Sequence, residues 1–282
     1  MTVCIQQFHN TQEPAWCPGC GNFKILEAVK QALVELELPP HRVIIATGIG
    51  QAPKLPHYLR VNTFNGLHGR EVASATAIKL AAPDLTVLVH AGDGGAYGEG
   101  GNHFLHALRR NVDLTLVVHD NHYYGLTKGQ ASPTTPRGTP AAGAPDGVRS
   151  SPLNPLALAI SQEGSFVAQG SAAHPAHLVE LLKQAIRHRG FSLLNALQPC
   201  VTYDKVFTYQ YYQEHGSILG PEYDPTDRRA AFDLVRENNL GDKIPLGVIY
   251  RCERPPYPEA ASPLRERGVD PRRAAVLFAE FV

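Results

Sequence analysis

Apolar residues recur at helical spacing over Leu26, Val29, Leu33 and Leu36, with Lys24, Glu27, Gln31 and Glu35 on the opposite side. The pattern predicts a helix over residues 22–38, ended by Pro39 and Pro40. Residues 42–47 form a short β-rich run that stops at Gly48-Ile49-Gly50, and residues 61–64 read as another short strand. The Ala-rich stretch 70–80 predicts a helix. Residues 85–89 are nearly continuously apolar, the pattern of a strand buried on both faces of a parallel sheet; the run ends in Gly92-Asp93-Gly94-Gly95. A helix is expected over 101–110, and a second buried strand over 114–118, closing at Asp120-Asn121.

Residues 131–155 are rich in Pro, Gly, Ser and Thr. A stretch that long without structure of its own predicts a functional lid or a linker. Beyond it the alternation resumes: helix over 156–161, strand over 166–168, helix over 177–189 and strand over 192–197. Strands and helices alternating at these lengths predict an α/β fold with a doubly wound, mostly parallel sheet. Later the pattern weakens, with 227–238 helical and 246–251 strand-like.

The 282 residues suffice to bury a sizeable core, and 43% of them are hydrophobic, so the chain is not of the disordered class. Lys plus Arg equals Asp plus Glu at 26 each, which gives no electrostatic case for nucleic acid or an anionic membrane surface. The N-terminus lacks the basic-then-apolar pattern of a secretory signal. No apolar run approaches the roughly 18–20 residues that a membrane span needs. A soluble, cytoplasmic protein is expected, and its five cysteines then read as reduced thiols or cofactor ligands, not a disulfide framework.

Gly92-Asp93-Gly94 directly follows a buried strand. Ligands of open α/β sheets bind beyond the carboxyl ends of the strands. Glycines there let backbone N–H groups approach a phosphate. The dinucleotide pattern Gly-x-Gly-x-x-Gly fails, because its sixth position is Tyr97. What remains is glycine plus one acid, and an acid repels a diphosphate unless a cation lies between them. Mg²⁺ suits that place, since it takes about six hard oxygens and phosphate can supply some of them. Asn121 ends the next buried strand at the same sheet edge and offers another oxygen. The structural alternative is a tight turn capped by Asp93, with Asn121 as a second turn residue. His103 and His106 lie one turn apart and read as helix-face residues.

Cys17-Pro18-Gly19-Cys20 precedes the first helix, a place where thiolates are stabilised. Zinc, a redox disulfide and an iron–sulfur cluster compete for this motif. Zinc usually wants a second close pair, which the sequence lacks, and a thioredoxin-like motif would follow a strand.

Several motifs together resemble one family. Gly92-Asp93-Gly94 followed by Asn121 is similar to the thiamine diphosphate motif, with Asp120 where the family often has a first Asn. Cys17-Pro18-Gly19-Cys20, His68-Gly69-Arg70, Gly100-Gly101-Asn102-His103, Arg109-Arg110-Asn111, the run from Tyr124 to Gln130 and Pro199-Cys200-Val201-Thr202 resemble the β subunit of 2-oxoacid:ferredoxin oxidoreductases. The resemblance spans roughly residues 14–205 in order. It implies a thiamine diphosphate-binding domain over 1–205 and a C-terminal extension over 206–282 that contacts another subunit.

The resemblance also implies roles. Asp93, Asn121 and the backbone carbonyl of Tyr123 would bind Mg²⁺; Gly92, Gly94, Gly95 and Thr127 would lie along the diphosphate; His68 and Gly69 would lie near the cofactor. Apart from the resemblance, Lys128 follows Thr127 in the sequence and reads either as a partner for a substrate carboxylate or as an ordinary surface lysine. Cys17, Cys20 and Cys200 would hold a [4Fe–4S] cluster, with Gln51 where the family's fourth Cys usually stands. Cys4 and Cys252 match nothing in the pattern and read as ordinary thiols. The implied reaction is oxidative decarboxylation of a 2-oxoacid to acyl-CoA, with coenzyme A as acceptor and ferredoxin taking the electrons. An α-type subunit that carries the pyrimidine-binding domain would complete the site. Threonine and proline soon after Gln130 look more like 2-oxoglutarate-type members than pyruvate-type ones. Gln51 motivates an alternative: a non-redox lyase using the same cofactor, with the cluster lost. A non-catalytic binding subunit is the third reading.

Overall fold

The structure is a computed structural model and describes residues 2–237 and 240–257. In chain order its elements are α1 (Gly21–Glu35), β1 (Val43–Thr47), β2 (Asn62–Asn65), α2 (Glu71–Ala81), β3 (Thr86–Gly92), a wide helical turn (Gly94–Glu99), α3 (Gly101–Arg110), β4 (Leu114–Asp120), β5 (Tyr123–Tyr124), β6 (Gln130–Ala131), α4 (Pro155–Ser161), β7 (Phe166–Ser171), α5 (Pro175–Arg187), β8 (Phe191–Leu197), α6 (Tyr209–His215), β9 (Gly216–Ile218), α7 (Arg228–Glu237) and β10 (Ile244–Arg251).

Local chemistry explains several boundaries. Helix α1 ends before residue 38 because Glu37 turns left-handed at φ 53°. Helix α3 ends on Asn111, also left-handed at φ 54°, a conformation that Asn tolerates better than most residues. Helix α4 starts where Asn154 accepts from the Ala157 N–H and Pro155 fixes the first turn. Strands β3, β4 and β7 run further than their apolar cores. Polar residues such as His90, His119, Asp120 and Gln169 stay in the ladder and are buried. The predicted helix over 227–238 corresponds to α7, and Asn238 lies outside the described residues. Helix α6 and strand β9 carry no clear signal in the hydrophobic pattern.

One sheet has the order β2-β1-β3-β4-β8-β7-β10-β9. The six strands from β2 to β7 pair in parallel; β10 runs antiparallel to β7 and parallel to β9. Residues 216–251 thus add two strands to the sheet that carries the site. Alternate side chains feed two cores: Leu88, Val117 and Leu194 face α1 and α5, while Val87, Val89, Leu116, Val118 and Leu193 share the other core with α2, α3 and α4. Burying each such side chain contributes about 1.5–3 kcal/mol.

The winding positions the site. From β1 the chain turns outward to β2; from β3 it moves the other way to β4. The order reverses between β1 and β3, so their following loops diverge and open a crevice at the carboxyl edge. Among the described residues, no helix is long and apolar enough to cross a membrane.

Candidate functional site

A cleft of about 290 Å³ occupies that crevice. Its walls come from the loop after β1, including Ile49 and Gln51; the turn after β3, from Gly92 to Gly95; and the segment after β4, from Asn121 to Thr127, with His68 on one side. These elements bring together Gly92, Asp93, Gly94, Gly95, Asn121, Tyr123, Thr127 and His68, all singled out in the sequence.

The pairing of Gly92 with His119 sets Asp93 beside Asp120 at neighbouring strand ends. Both carboxylates are buried, at 1% and 3% exposure. Thr134 Oγ1 lies 2.8 Å from Asp93 Oδ2 and 2.7 Å from Asp120 Oδ1. A hydroxyl has one proton and can satisfy only one of these acceptors. Burial, and then the charge of Asp120, push the Asp93 carboxyl above the ordinary carboxylate range. His122 Nδ1 stands 3.3 Å from Asp120 Oδ1, and Asn195 Nδ2 donates to Asp120 Oδ2 at 3.1 Å. Tyr97 in turn donates to Asn195 Oδ1 at 2.8 Å. The carboxylate pair is therefore short of positive charge, and a divalent cation fits that deficit. Asn121 and Tyr123 supply neutral oxygens at the same edge. The Asn121 side chain is oriented from both ends: Oδ1 accepts from Tyr123 N at 3.0 Å and Nδ2 donates to Gln198 Oε1 at 2.9 Å.

The glycines are needed where they stand. A Cβ on Gly94 would overlap the Tyr124 ring, and one on Gly95 would meet Glu71 Oε1 at 2.9 Å. Beside them His68 Nδ1 lies 2.8 Å from Ile49 O, and His68 Nε2 lies 3.0 Å from Glu99 Oε2, which also accepts from Tyr124 OH at 3.1 Å. Gly69 is left-handed at φ 72° and backs onto Glu99. Lys128 sits in an exposed turn at φ 69°, next to Thr127 but outside the cleft lining.

The cysteine motif meets the segment after β8. Gly21 N donates to Pro199 O at 3.2 Å, which lays Cys200 against the start of α1. Thr202 Oγ1 donates to Cys17 Sγ at 3.2 Å, and Gln198 Nε2 to Cys20 Sγ at 3.4 Å. Burial pushes the free Cys20 thiol up to about 11, and Cys200 and Cys17 lie near enough to add to that rise. Cys4 is exposed and Cys252 reaches toward Glu163 O, neither being part of this group. Gln51 O accepts from Trp16 Nε1 at 2.9 Å, tying the β1 loop to the residue before Cys17; Gln51 Oε1 is buried without a partner. Among the described residues, no three His, Cys, Asp or Glu side chains gather closely enough for a single metal ion. The oxygen donors at the strand ends are of another kind, one carboxylate with amide and carbonyl oxygens, and Cys17 and Cys200 both lie near Cys20.

Sequence reasoning missed Thr134, Asn195, Gln198 and Glu71. Thr134 lies inside the stretch expected to be a lid or linker; in fact Ser132, Thr134 and Thr135 are buried against the site. Glu71 reads as an ordinary acid at a helix start, yet it is 1% exposed, its Oε2 has no partner, and burial raises its pKa.

Residues 42–196 match the family model described as "Thiamine pyrophosphate enzyme, C-terminal TPP binding domain". Residues 200–266 match the C-terminal family model of the pyruvate ferredoxin oxidoreductase beta subunit. The fold and cleft are thus those of a thiamine diphosphate-binding domain. The 2-oxoacid:ferredoxin oxidoreductase subunit beta of Saccharolobus solfataricus is 44% identical over 84% of this chain and 82% of its own length. The 2-oxoglutarate synthase subunit KorB of Methanocaldococcus jannaschii is 35% identical, over 89% of this chain and 93% of its own. A 2-oxoglutarate:ferredoxin oxidoreductase from Magnetococcus marinus, solved with 2-oxoglutarate, coenzyme A and succinyl-CoA bound, superposes with a TM-score of 0.89 at 34% identity, covering 98% of this chain and 96% of that one. The chain belongs to the family of 2-oxoacid:ferredoxin oxidoreductase β subunits.

Proposed function

We propose that this chain is the thiamine diphosphate-binding subunit of an enzyme that converts a 2-oxoacid and coenzyme A to acyl-CoA and CO₂, with two electrons leaving singly for ferredoxin. The observation that carries the cofactor assignment is the buried Asp93–Asp120 pair sharing one hydroxyl at the sheet's switch point. Asp93, Asn121 and the Tyr123 carbonyl would hold a Mg²⁺, which would offset that charge and make room for a diphosphate beside it. Gly92, Gly94, Gly95 and Thr127 would lie along the diphosphate, with His68 and Gly69 beside it. Thiamine diphosphate, once bound, supplies the carbanion chemistry of decarboxylation. The chain's own work is to hold the diphosphate end, line the cleft with apolar surface such as Ile49 and Leu126, and offer Lys128 at the rim to the substrate carboxylate.

Cys17, Cys20 and Cys200 would hold a [4Fe–4S] cluster that would carry the electrons, with Gln51, whose amide oxygen is buried without a partner, or a water in place of a fourth thiolate. The relatives' names favour this redox role over the non-redox lyase. The bound 2-oxoglutarate of the Magnetococcus marinus enzyme favours 2-oxoglutarate as substrate. An α-type subunit supplies the pyrimidine-binding domain and its acid, and the C-terminal extension from residue 206 would contact a neighbouring subunit, residues 258–282 of it lying outside the described residues. Reduced cysteines and a cytoplasmic location go with that reading.

The test is turnover. The complex purified anaerobically is assayed with a panel of 2-oxoacids, coenzyme A and a viologen dye. Dye reduction is expected with 2-oxoglutarate fastest, and none from the isolated chain. Full turnover by the isolated chain would refute the subunit assignment; decarboxylation without dye reduction would restore the lyase.

A further inference from the structure

Gln198 touches both halves of the site. It is 1% exposed and follows β8 at the carboxyl edge. Its Oε1 accepts from Asn121 Nδ2 at 2.9 Å, and its Nε2 donates to Cys20 Sγ at 3.4 Å and to Pro199 O at 3.0 Å. Its own backbone N–H donates to Asp120 O at 2.8 Å, which pins the side chain between the two centres. Every polar atom of this amide is engaged, so it is not filling space. We propose that Gln198 is a positioning residue that couples the Mg²⁺–thiamine diphosphate site to the cluster, by orienting Asn121 toward the metal and hydrogen-bonding the Cys20 thiolate. The inference rests on the cofactor and cluster assignments above.

The direction follows from the polarity of the chain of bonds. A cation on Asn121 Oδ1 withdraws electron density from that amide and makes Nδ2–H a stronger donor to Gln198 Oε1. Gln198 Nε2–H then becomes a stronger donor to sulfur, because hydrogen bonds in series polarise one another. A stronger hydrogen bond stabilises the more negative, reduced cluster and raises its potential. Cofactor loading thus makes the adjacent electron acceptor more oxidising. The same amide engages Asn121 Nδ2 and so would leave Oδ1 as the atom to meet a metal, as partners beyond direct ligands commonly do.

The experiment uses the complete anaerobic complex. The cluster of this chain is identified as the paramagnetic resonance signal that a Cys20→Ser variant lacks, and its potential is titrated with and without Mg²⁺ and thiamine diphosphate. In the parent, loading should favour reduction by about tenfold, ~59 mV for one electron. In Gln198→Met that response should vanish, and cofactor affinity should fall about tenfold. Gln198→Glu keeps an acceptor for Asn121 but puts a carboxylate at Cys20; it should hold cofactor affinity within about threefold while lowering the potential. A loading response in Gln198→Met equal to the parent's overturns the coupling with the cluster assignment intact. Absence of iron from the parent removes the cluster assignment and the coupling with it.

Discussion

At the carboxyl edge Asp93 and Asp120 are enclosed, with the one Thr134 hydroxyl between them. At the start of α1, Cys17 is exposed and Cys20 and Cys200 are half-buried, held mainly by backbone bonds. The first region is built around a charge imbalance that the protein does not resolve by itself. The second is a set of three cysteines that builds up no such buried charge. On the proposed assignment a cation would relieve that imbalance, so cofactor loading there should be linked to stability. Thiols at a partly open helix start carry little such penalty, so loss of any cluster there should leave the fold standing.

The sharpest test removes the carboxylate. Asp93→Ala should weaken Mg²⁺-dependent thiamine diphosphate binding by a hundredfold or more (roughly; loss of a direct ligand should exceed the tenfold to hundredfold seen for outer partners). Calorimetry reads this directly, and parent-like binding would show that the metal site lies elsewhere. At the cysteine corner, Cys17→Ser should remove iron and labile sulfide from the anaerobic complex, yet leave cofactor affinity within about twofold. Gln51→Cys, by offering a fourth thiolate, should slow cluster loss in air. Iron that persists in the Cys17→Ser variant at the parent's level would dissolve the contrast.

Smaller effects probe the support. Thr134→Val leaves both buried carboxylates without their shared donor and should cost about 1–3 kcal/mol in urea unfolding of the cofactor-free protein. That cost should shrink when Mg²⁺ and thiamine diphosphate are added; an equal cost in both states would place the cation away from this pair. Beneath the site, His90 Nδ1 lies 2.8 Å from His119 Nε2, and His119 Nδ1 lies 2.7 Å from Asn22 Oδ1, all buried. Burial pushes His90 down to about 3, against about 6.5 when unfolded. As pH falls below about 6.5 the unfolded chain takes up the proton first, so stability is full above that pH and declines below it. The decline is about 1.4 kcal/mol per pH unit until the folded group also titrates. His90→Gln should make the pH dependence of unfolding shallower by about that amount between about pH 6 and 5. An unchanged slope would mean that His90 is already charged in the folded state.

Much of this was legible in the chain. Gly92-Asp93-Gly94 after an apolar run, and Asn121 after the next, became adjacent strand ends because parallel strands with helical crossovers bring every such end to one edge. Lys128 was less legible: sequence proximity to Thr127 placed it beside the cleft but could not tell rim from wall. The polar ends of β3 and β4 were also opaque, since a His in a strand carries no sign of whether it pairs in the ladder or faces water.

What the sequence by itself determined was the alternation of strands and helices, the glycine-acid turn, and the thiol pair at a helix start. Each depends on residues near one another along the chain. Tertiary structure alone decided that Thr134, from a Pro- and Ser-rich stretch, stands between two carboxylates, and that Gln198 spans Asn121 and Cys20. Those contacts join residues 14, 77 and 178 positions apart. Periodicity reports which face of an element is buried; it holds no information about which polar groups meet once the elements pack, because hydrogen-bond partners are fixed by three-dimensional register.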